Sequence, residues 1–444
     1  MKFILRNANV VNEGVVGCAD IVLADGLIER IEPVGRITAN ELPAVDLSGL
    51  FLFPGVIDDQ VHFREPGLTH KADIHTESMA AVAGGVTSYM DMPNTKPQTT
   101  SVKLLEQKYM LATNSSFANY AFYLGATNDN IEELTNVNYN YIPGIKVFMG
   151  SSTGNMLVDN EVTLEKIFSE VNTLIAVHAE DEDVIKHNTE IIKKQYGDNP
   201  PFSVHPAIRS DEACYSCSLK AVNLAEKYGS RLHLLHLTTE KEMKLLSAKY
   251  DKAKITAEVC AQHLWFTDKD YQSKGQYIKC NPAIKTETDR NALRANLING
   301  NINVVASDHA PHTLEEKQKP YFDCPSGMPM VQHTFHVMLE LCKQGIFKLE
   351  DIPFWMSHNP AKCFNISNRG FIREGYAADL VAVDMNDVTP VNNKTYFYKC
   401  GWSPFDGFVF NSKIKYTFVN AKLVYADGKI VNSPVGERMY FENE

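Results

Sequence analysis

The sequence lacks the features that would assign it to a membrane, a nucleic acid or an oxidising compartment. No apolar run in its 444 residues approaches the roughly 20 needed to span a bilayer. The opening MKFILRNANVVNEG meets a charge and an Asn before any stretch long enough for a signal peptide, so the expected address is cytoplasmic. Basic clusters are also missing. The 43 Lys and Arg against 54 Asp and Glu give a formal charge of -11, scattered along the chain, which argues against nucleic acid or anionic membrane as partners. Nine cysteines is an odd number without paired spacing, as expected of reduced core thiols and not of a disulfide framework. The C-x-x-C of Cys214 and Cys217 lies in a helical pattern that Ser210 can cap and Gly229 can end, which points to core packing. No glycine-rich phosphate loop follows the first strand-like run of the long middle segment, which disfavours a doubly wound open sheet.

What is present is enough apolar residue, 44% of the chain, to fill a barrel-sized core and a smaller one beside it. Both ends of the sequence alternate short β-like runs with tight turns, including Asp25-Gly26 and Asp427-Gly428, the strongest short hairpin signals. They predict one small discontinuous β-sandwich domain from residues 1–53 and 371–444. Between them, residues 54–370 alternate short apolar runs with amphipathic segments of helix length, as repeated βα units do. The runs are 55–62, 86–93, 118–125, 144–150, 174–180, 231–237, 255–260 and 303–309. Eight is the number that closes a (β/α)8 barrel, whose catalytic groups stand at the C-terminal strand ends.

Those ends carry Asp58, Gln60 and His62 in the first run, Lys146 in the fourth, His178 in the fifth, His236 in the sixth and Asp308 in the eighth. Imidazoles and carboxylates converging on one mouth are what a hydrolytic zinc site needs, since an open coordination position lets the metal lower the pKa of a bound water to about 7. A single strand-end His is more often a hydrogen-bonded core residue. Three with an Asp at one mouth are costly to bury without use. Lys146 would repel a metal as an ammonium; it reads as a carbamate bridging metals, with a Schiff-base lysine or a buried ion pair as alternatives.

PGVIDDQVHFREPG (54–67), MPNT (92–95), GIKVFMG, VHAED (177–181), LHLT (235–238), NPAIK (281–285), SDHAPH (307–312) and HNPAKCF (358–364) together resemble, in order and over essentially the whole chain, the dihydroorotase branch of the amidohydrolase superfamily. The resemblance implies one or two zinc ions held by His62, a carboxylated Lys146, His178, His236 and Asp308, with Asp308 also the general base and acid. It implies a small-molecule substrate whose carboxylate is held by Arg64, Asn94 and His312, with Asn281 and Gly327 near the ring. The implied reaction is reversible closure of N-carbamoyl-L-aspartate to L-dihydroorotate in pyrimidine synthesis, by a homodimer.

The pattern departs at Gln60, where the branch has the first histidine of an H-x-H pair, and at residues 257–263, where its Pro-His pair is missing; His263 is expected to support the ligands from behind or to be structural. An amide is a poorer zinc ligand than imidazole, so one of two metal positions should be weakened. Asp58 and Asp59 can compensate only if the strand bulges, because alternation turns Asp59 away from Gln60. Two further readings follow: a silent scaffold for aspartate carbamoyltransferase, and an active relative of the hydantoinase or allantoinase kind. The segment from His312 to Gly327 is a lid or a static rim loop.

Overall fold

The computed structural model describes residues 2–37, 42–150, 155–247, 252 and 254–443. The eight apolar runs form parallel strands, first to eighth: Val56–Val61, Val86–Asp91, Asn119–Phe122 continued as Leu124–Gly125, Ile145–Phe148, Ile175–His178, Leu232–Leu234, Ile255–Cys260 and Val304–Ala306. Strands adjacent in sequence are adjacent in space. The circle closes where Val61 bridges His309 and the His62 amide donates to the His309 carbonyl at 2.7 Å. Thr256 alone among these strand residues is not buried; covered on both faces, the strands read as apolar runs and not as alternation.

Helices cover the outside, started by side chains that accept the first free amides: Asp73 for Ile74–Ala83, Ser101 for Val102–Ala112, Asn160 for Glu161–Glu170 and Thr286 for Glu287–Ile298. Asp211–Tyr228 is capped by Ser210 and ended by Gly229 in the left-handed region, and its Cys214 and Cys217 are buried free thiols. At the end of the barrel opposite the strand C-termini, Phe364, Met439 and Phe441 pack against Ile57, Ala121 and Ala176. This plug leaves one open mouth.

Both chain ends build one nine-stranded sheet, as the hairpin signals predict. Phe51–Pro54 lies between Lys2–Asn12, parallel to it, and Leu380–Asp384, antiparallel. Leu5, Ile21, Leu23, Leu52, Leu380 and Phe418 share one core. Asp25-Gly26 and Asp427-Gly428 make two-residue turns with both φ positive, the hairpin form that suits twisted strands. Among the described residues no helix is long and apolar enough to cross a membrane.

Candidate active site at the barrel mouth

The strand C-termini open into a cavity of about 730 Å³ lined by Gln60, His62, Arg64, Asn94, Lys146, His178, His236, Asn281, Asp308, His312 and Gly327, which is every strand-end and substrate residue singled out in the sequence except Asp58. Their placement begins with a bulge. Asp58 lies opposite Tyr89 but Val61 opposite Asp91, so the first strand carries one extra residue between them. Gln60 thereby reaches the mouth, where its Nε2 donates to Asp308 Oδ1 at 3.1 Å. Asp58 points across the seam instead, its Oδ1 accepting from the Ser307 amide at 3.1 Å, and burial raises its carboxyl to about 7. The strand's continuation is fixed by Asp91, which accepts from the Phe63 amide at 2.8 Å and is paired with buried Lys108 at 2.6 Å.

Two groups of donor atoms face the cavity floor. His62 Nδ1 donates to Asn94 Oδ1 at 2.8 Å, which leaves its bare Nε2 3.1 Å from the Asp308 carboxylate. His178 Nε2 donates to Glu180 Oε2 at 2.8 Å, a carboxylate itself anchored by Arg209 at 2.6 Å, and His178 Nδ1 sits 2.8 Å from His236 Nε2. Lys146 Nζ is buried with no hydrogen-bond partner, 4.6 Å above the Phe148 ring, and burial lowers its ammonium to about 7. Burial likewise lowers both His178 and His236, keeping them neutral and able to ligate. Such nitrogens, in His62 and His178 oriented by a partner on the other ring atom, fit a divalent cation. His236 and Asp308 hold φ of +39° and +43°, left-handed backbone that non-glycine residues keep only where surroundings enforce it. For His236 the enforcing contact is its amide donating to Glu258 Oε1 at 2.9 Å.

The opposite wall is cationic. Arg64 is buried, its Nε donating to the Pro311 carbonyl at 3.0 Å, and burial lowers its guanidinium to about 10. Its terminal nitrogen lies 3.2 Å from His312 Nε2. His312 is neutral, held well below the usual imidazole value by burial and by Arg64. Its Nε2 donates to the Ser326 carbonyl at 3.0 Å and its Nδ1 accepts from Lys71 Nζ, also at 3.0 Å. Lys71 in turn pairs with Glu316 at 2.9 Å, and His312 and Lys71 beside it hold the Glu316 carboxyl well below the usual carboxylate range.

The rim from Thr313 to Gly327 is fastened from below. Buried Lys317 donates to the carbonyls of Pro325 and Gly327, each at 2.9 Å, Lys279 to those of Tyr321 and Cys324, and Trp402 Nε1 to that of His312 at 2.8 Å. Gly327, at φ +133°, approaches Ala310 so closely that a Cβ would stand 2.4 Å from its carbonyl oxygen. These contacts hold the loop against the barrel. His263 is buried, with Nε2 3.2 Å from the Pro282 carbonyl.

The profile of the amidohydrolase family matches residues 51–431, most of the chain. The chain belongs to the amidohydrolase family. A protein of Pyrococcus abyssi named dihydroorotase is 33% identical over 442 residues, covering 99% of this chain and 98% of its own. One of the same name from Methanosarcina acetivorans is 32% identical, covering 97% and 93%. Among solved structures, the L-hydantoinase (dihydropyrimidinase) of Arthrobacter aurescens superposes with a TM-score of 0.94 at 26% identity over 99% of both chains.

In this amidohydrolase the ligand-type side chains continue below the mouth. Asp59, His233 and Glu258, from the first, sixth and seventh strands, are fully buried, and their ligand atoms lie within 4.8 Å of one another, a candidate metal-binding group. Spacing alone sets Asp59 on the outer face; the bulge turns it inward. Lys71 and Lys317 also escape sequence reasoning, because isolated lysines after a turn carry no spacing signal. Glu180 had one, two residues beyond His178 in VHAED, where a carboxylate can orient a ligating imidazole.

Proposed function

We propose that the chain catalyses the reversible closure of N-carbamoyl-L-aspartate to L-dihydroorotate, the ring-forming step of pyrimidine synthesis. His178, His236 and a carboxylated Lys146 would hold zinc at the mouth, with His62 and Asp308 beside them. The observation that carries this reading is that one cavity sets the imidazole pair and the orphaned Lys146 amine against a wall of Arg64, His312 and Lys71. The relatives named dihydroorotase at 32–33% identity over nearly the whole chain support it. The metal, when bound, supplies Lewis-acid polarisation of the reacting carbonyl.

The remaining work falls to side chains. Arg64 grips the substrate carboxylate with parallel N–H donors, a charge-assisted fork that fixes the ring plane. Asn94 presents its amide nitrogen to the same group, since its oxygen is taken by His62. Asp308 accepts from Gln60 at Oδ1 and moves the proton through Oδ2. In ring opening it takes a proton from the attacking water and returns it to the departing ring nitrogen; in closure it takes one from the carbamoyl nitrogen and returns it to the departing oxygen.

The structural likeness to a hydantoinase favours a second reading, a cyclic amide without a carboxylate. Against it, a site for such a ring gains nothing from burying Arg64 beside Lys71. Steady-state assays on zinc-loaded protein separate the two. Dihydroorotate should turn over in both directions, with kcat/KM for hydantoin at least about 100-fold lower, and Arg64→Met should cost dihydroorotate about 100-fold or more, as loss of a bidentate charged contact does. Absence of turnover in either direction would sink the proposal.

A further inference from the structure

Relative to the family pattern this chain has lost an imidazole at Gln60 and carries a carboxylate at the preceding position. The bulge aims that carboxylate, Asp59, into the barrel interior, where His233 Nε2 lies 3.1 Å from Asp59 Oδ2 and 3.8 Å from Glu258 Oε2. All three residues are fully buried; Asp59 Oδ2 and His233 Nε2 face each other, while Asp59 Oδ1 and Glu258 Oε2 have no hydrogen-bond partner among the described residues. Polar atoms buried in this state are costly unless something joins them.

The orientation of His233 says what joins them. The Thr256 hydroxyl donates to the Leu232 carbonyl at 3.3 Å, so it accepts from His233 Nδ1 at 2.7 Å. One proton therefore sits on Nδ1, and Nε2 faces two carboxylates, which raise the ring to about 9, so that Nε2 is filled either by a second proton or by a cation. This is the arrangement of a metal-ligating histidine whose outer nitrogen is anchored by a neighbour. Two carboxylates and a neutral imidazole carry a charge that one divalent cation cancels. The separations of 3.1 and 3.8 Å from Nε2 suit the edges of a ligand shell with bonds of about 2.0–2.2 Å, and one nitrogen with carboxylate oxygens suits zinc.

We propose that Asp59, His233 and Glu258 bind a divalent cation, zinc by donor type, in the barrel interior, separate from the ligands at the mouth. The site does not depend on which ring the enzyme opens. Glu258 joins the two levels, since its other oxygen, Oε1, accepts the His236 amide and so steadies a mouth ligand from beneath. An imidazolium in place of the ion is the competing arrangement, and metal content distinguishes them.

Zinc per chain is measured by elemental analysis on full-length protein purified without chelator. The double variant His178→Asn/His236→Asn removes mouth ligands and should retain about one zinc; adding Asp59→Asn should remove it. Asp59→Asn alone should lower the wild-type content by about one. Unchanged zinc in Asp59→Asn, or none in the double variant, overturns the proposal. Should a variant fail to fold, crystals of wild-type protein decide the matter: an anomalous zinc peak among Asp59, His233 and Glu258 supports the site, and an empty map there overturns it. Because position and content of metal are read, failure of the proposed reaction leaves the outcome legible.

Discussion

His312 holds one proton, and its two neighbours decide which nitrogen carries it. The Lys71 ammonium can only donate, so Nδ1 accepts and Nε2 keeps the hydrogen that the Ser326 carbonyl receives. Without Lys71 the ring is free to place its proton on Nδ1 and turn to Glu316, 3.7 Å away. Lys71→Met is therefore expected to raise KM for dihydroorotate about tenfold, the worth of one charge-assisted hydrogen bond, with kcat within about threefold and zinc content unchanged. Lys71→Arg should recover part of the loss; an unmoved KM in steady-state assays would remove Lys71 from substrate recognition. Residues at this scale were legible in the sequence where the fold fixes them: His178 ends a barrel strand and His236 and Asp308 lie two residues beyond theirs, where the polar residues of a barrel meet the mouth. Lys71 was not, because its reach to His312 is set by a turn and not by periodicity.

Among the elements, the rim segment from Thr313 to Gly327 has the composition of a moving loop and the contacts of a fixed one. Its anchors are ammonium groups beneath it, a feature that only tertiary structure brings together. Lys317→Met would leave the carbonyls of Pro325 and Gly327 without their donor, costing about 2–4 kcal/mol if both stay buried. The expected result is local: faster limited proteolysis between residues 314 and 326, and a weaker KM, with the remainder of the chain as resistant as wild type. Cleavage at the wild-type rate would mean that Lys279 and Trp402 suffice. The barrel strands themselves were readable because burial on both faces makes each a continuous apolar run. The bulge in the first strand was not, since one extra residue leaves no mark on composition; only the misfit of Asp59 and Gln60 with the family pattern hinted at it.

At the scale of the whole molecule, neutral histidines set the acid limit. Burial lowers His263, His336 and His358 to about 4, and His205 and His333 well below the usual value. An unfolded chain takes up those protons near its ordinary imidazole pKa of about 6.5 and the folded chain does not, so stability is full above that pH and falls as pH drops toward 4. His336, stacked on Phe410 with burial as the sole cause of its shift, gives the clean test. Relative to wild type, His336→Phe should gain about 2 kcal/mol between pH 7 and 5 in denaturant titrations, from a displacement of about 1.5 pH units below 6.5. Parallel pH dependences would refute it. The β-rich character of both chain ends was legible from two Asp-Gly turns, whereas the order of strands in their shared sheet was not, because its central pairing joins Phe51–Pro54 to Leu380–Asp384 across more than 300 residues. That pairing has a price in time. A ribosome adding 5–20 residues per second needs roughly 15–60 s to deliver the second strand after the first, and meanwhile the edge of Phe51–Pro54 stands unpaired while an entire barrel is made beside it. Recovery of folded enzyme from a cell is then a race between elongation and self-association, one that slower translation loses.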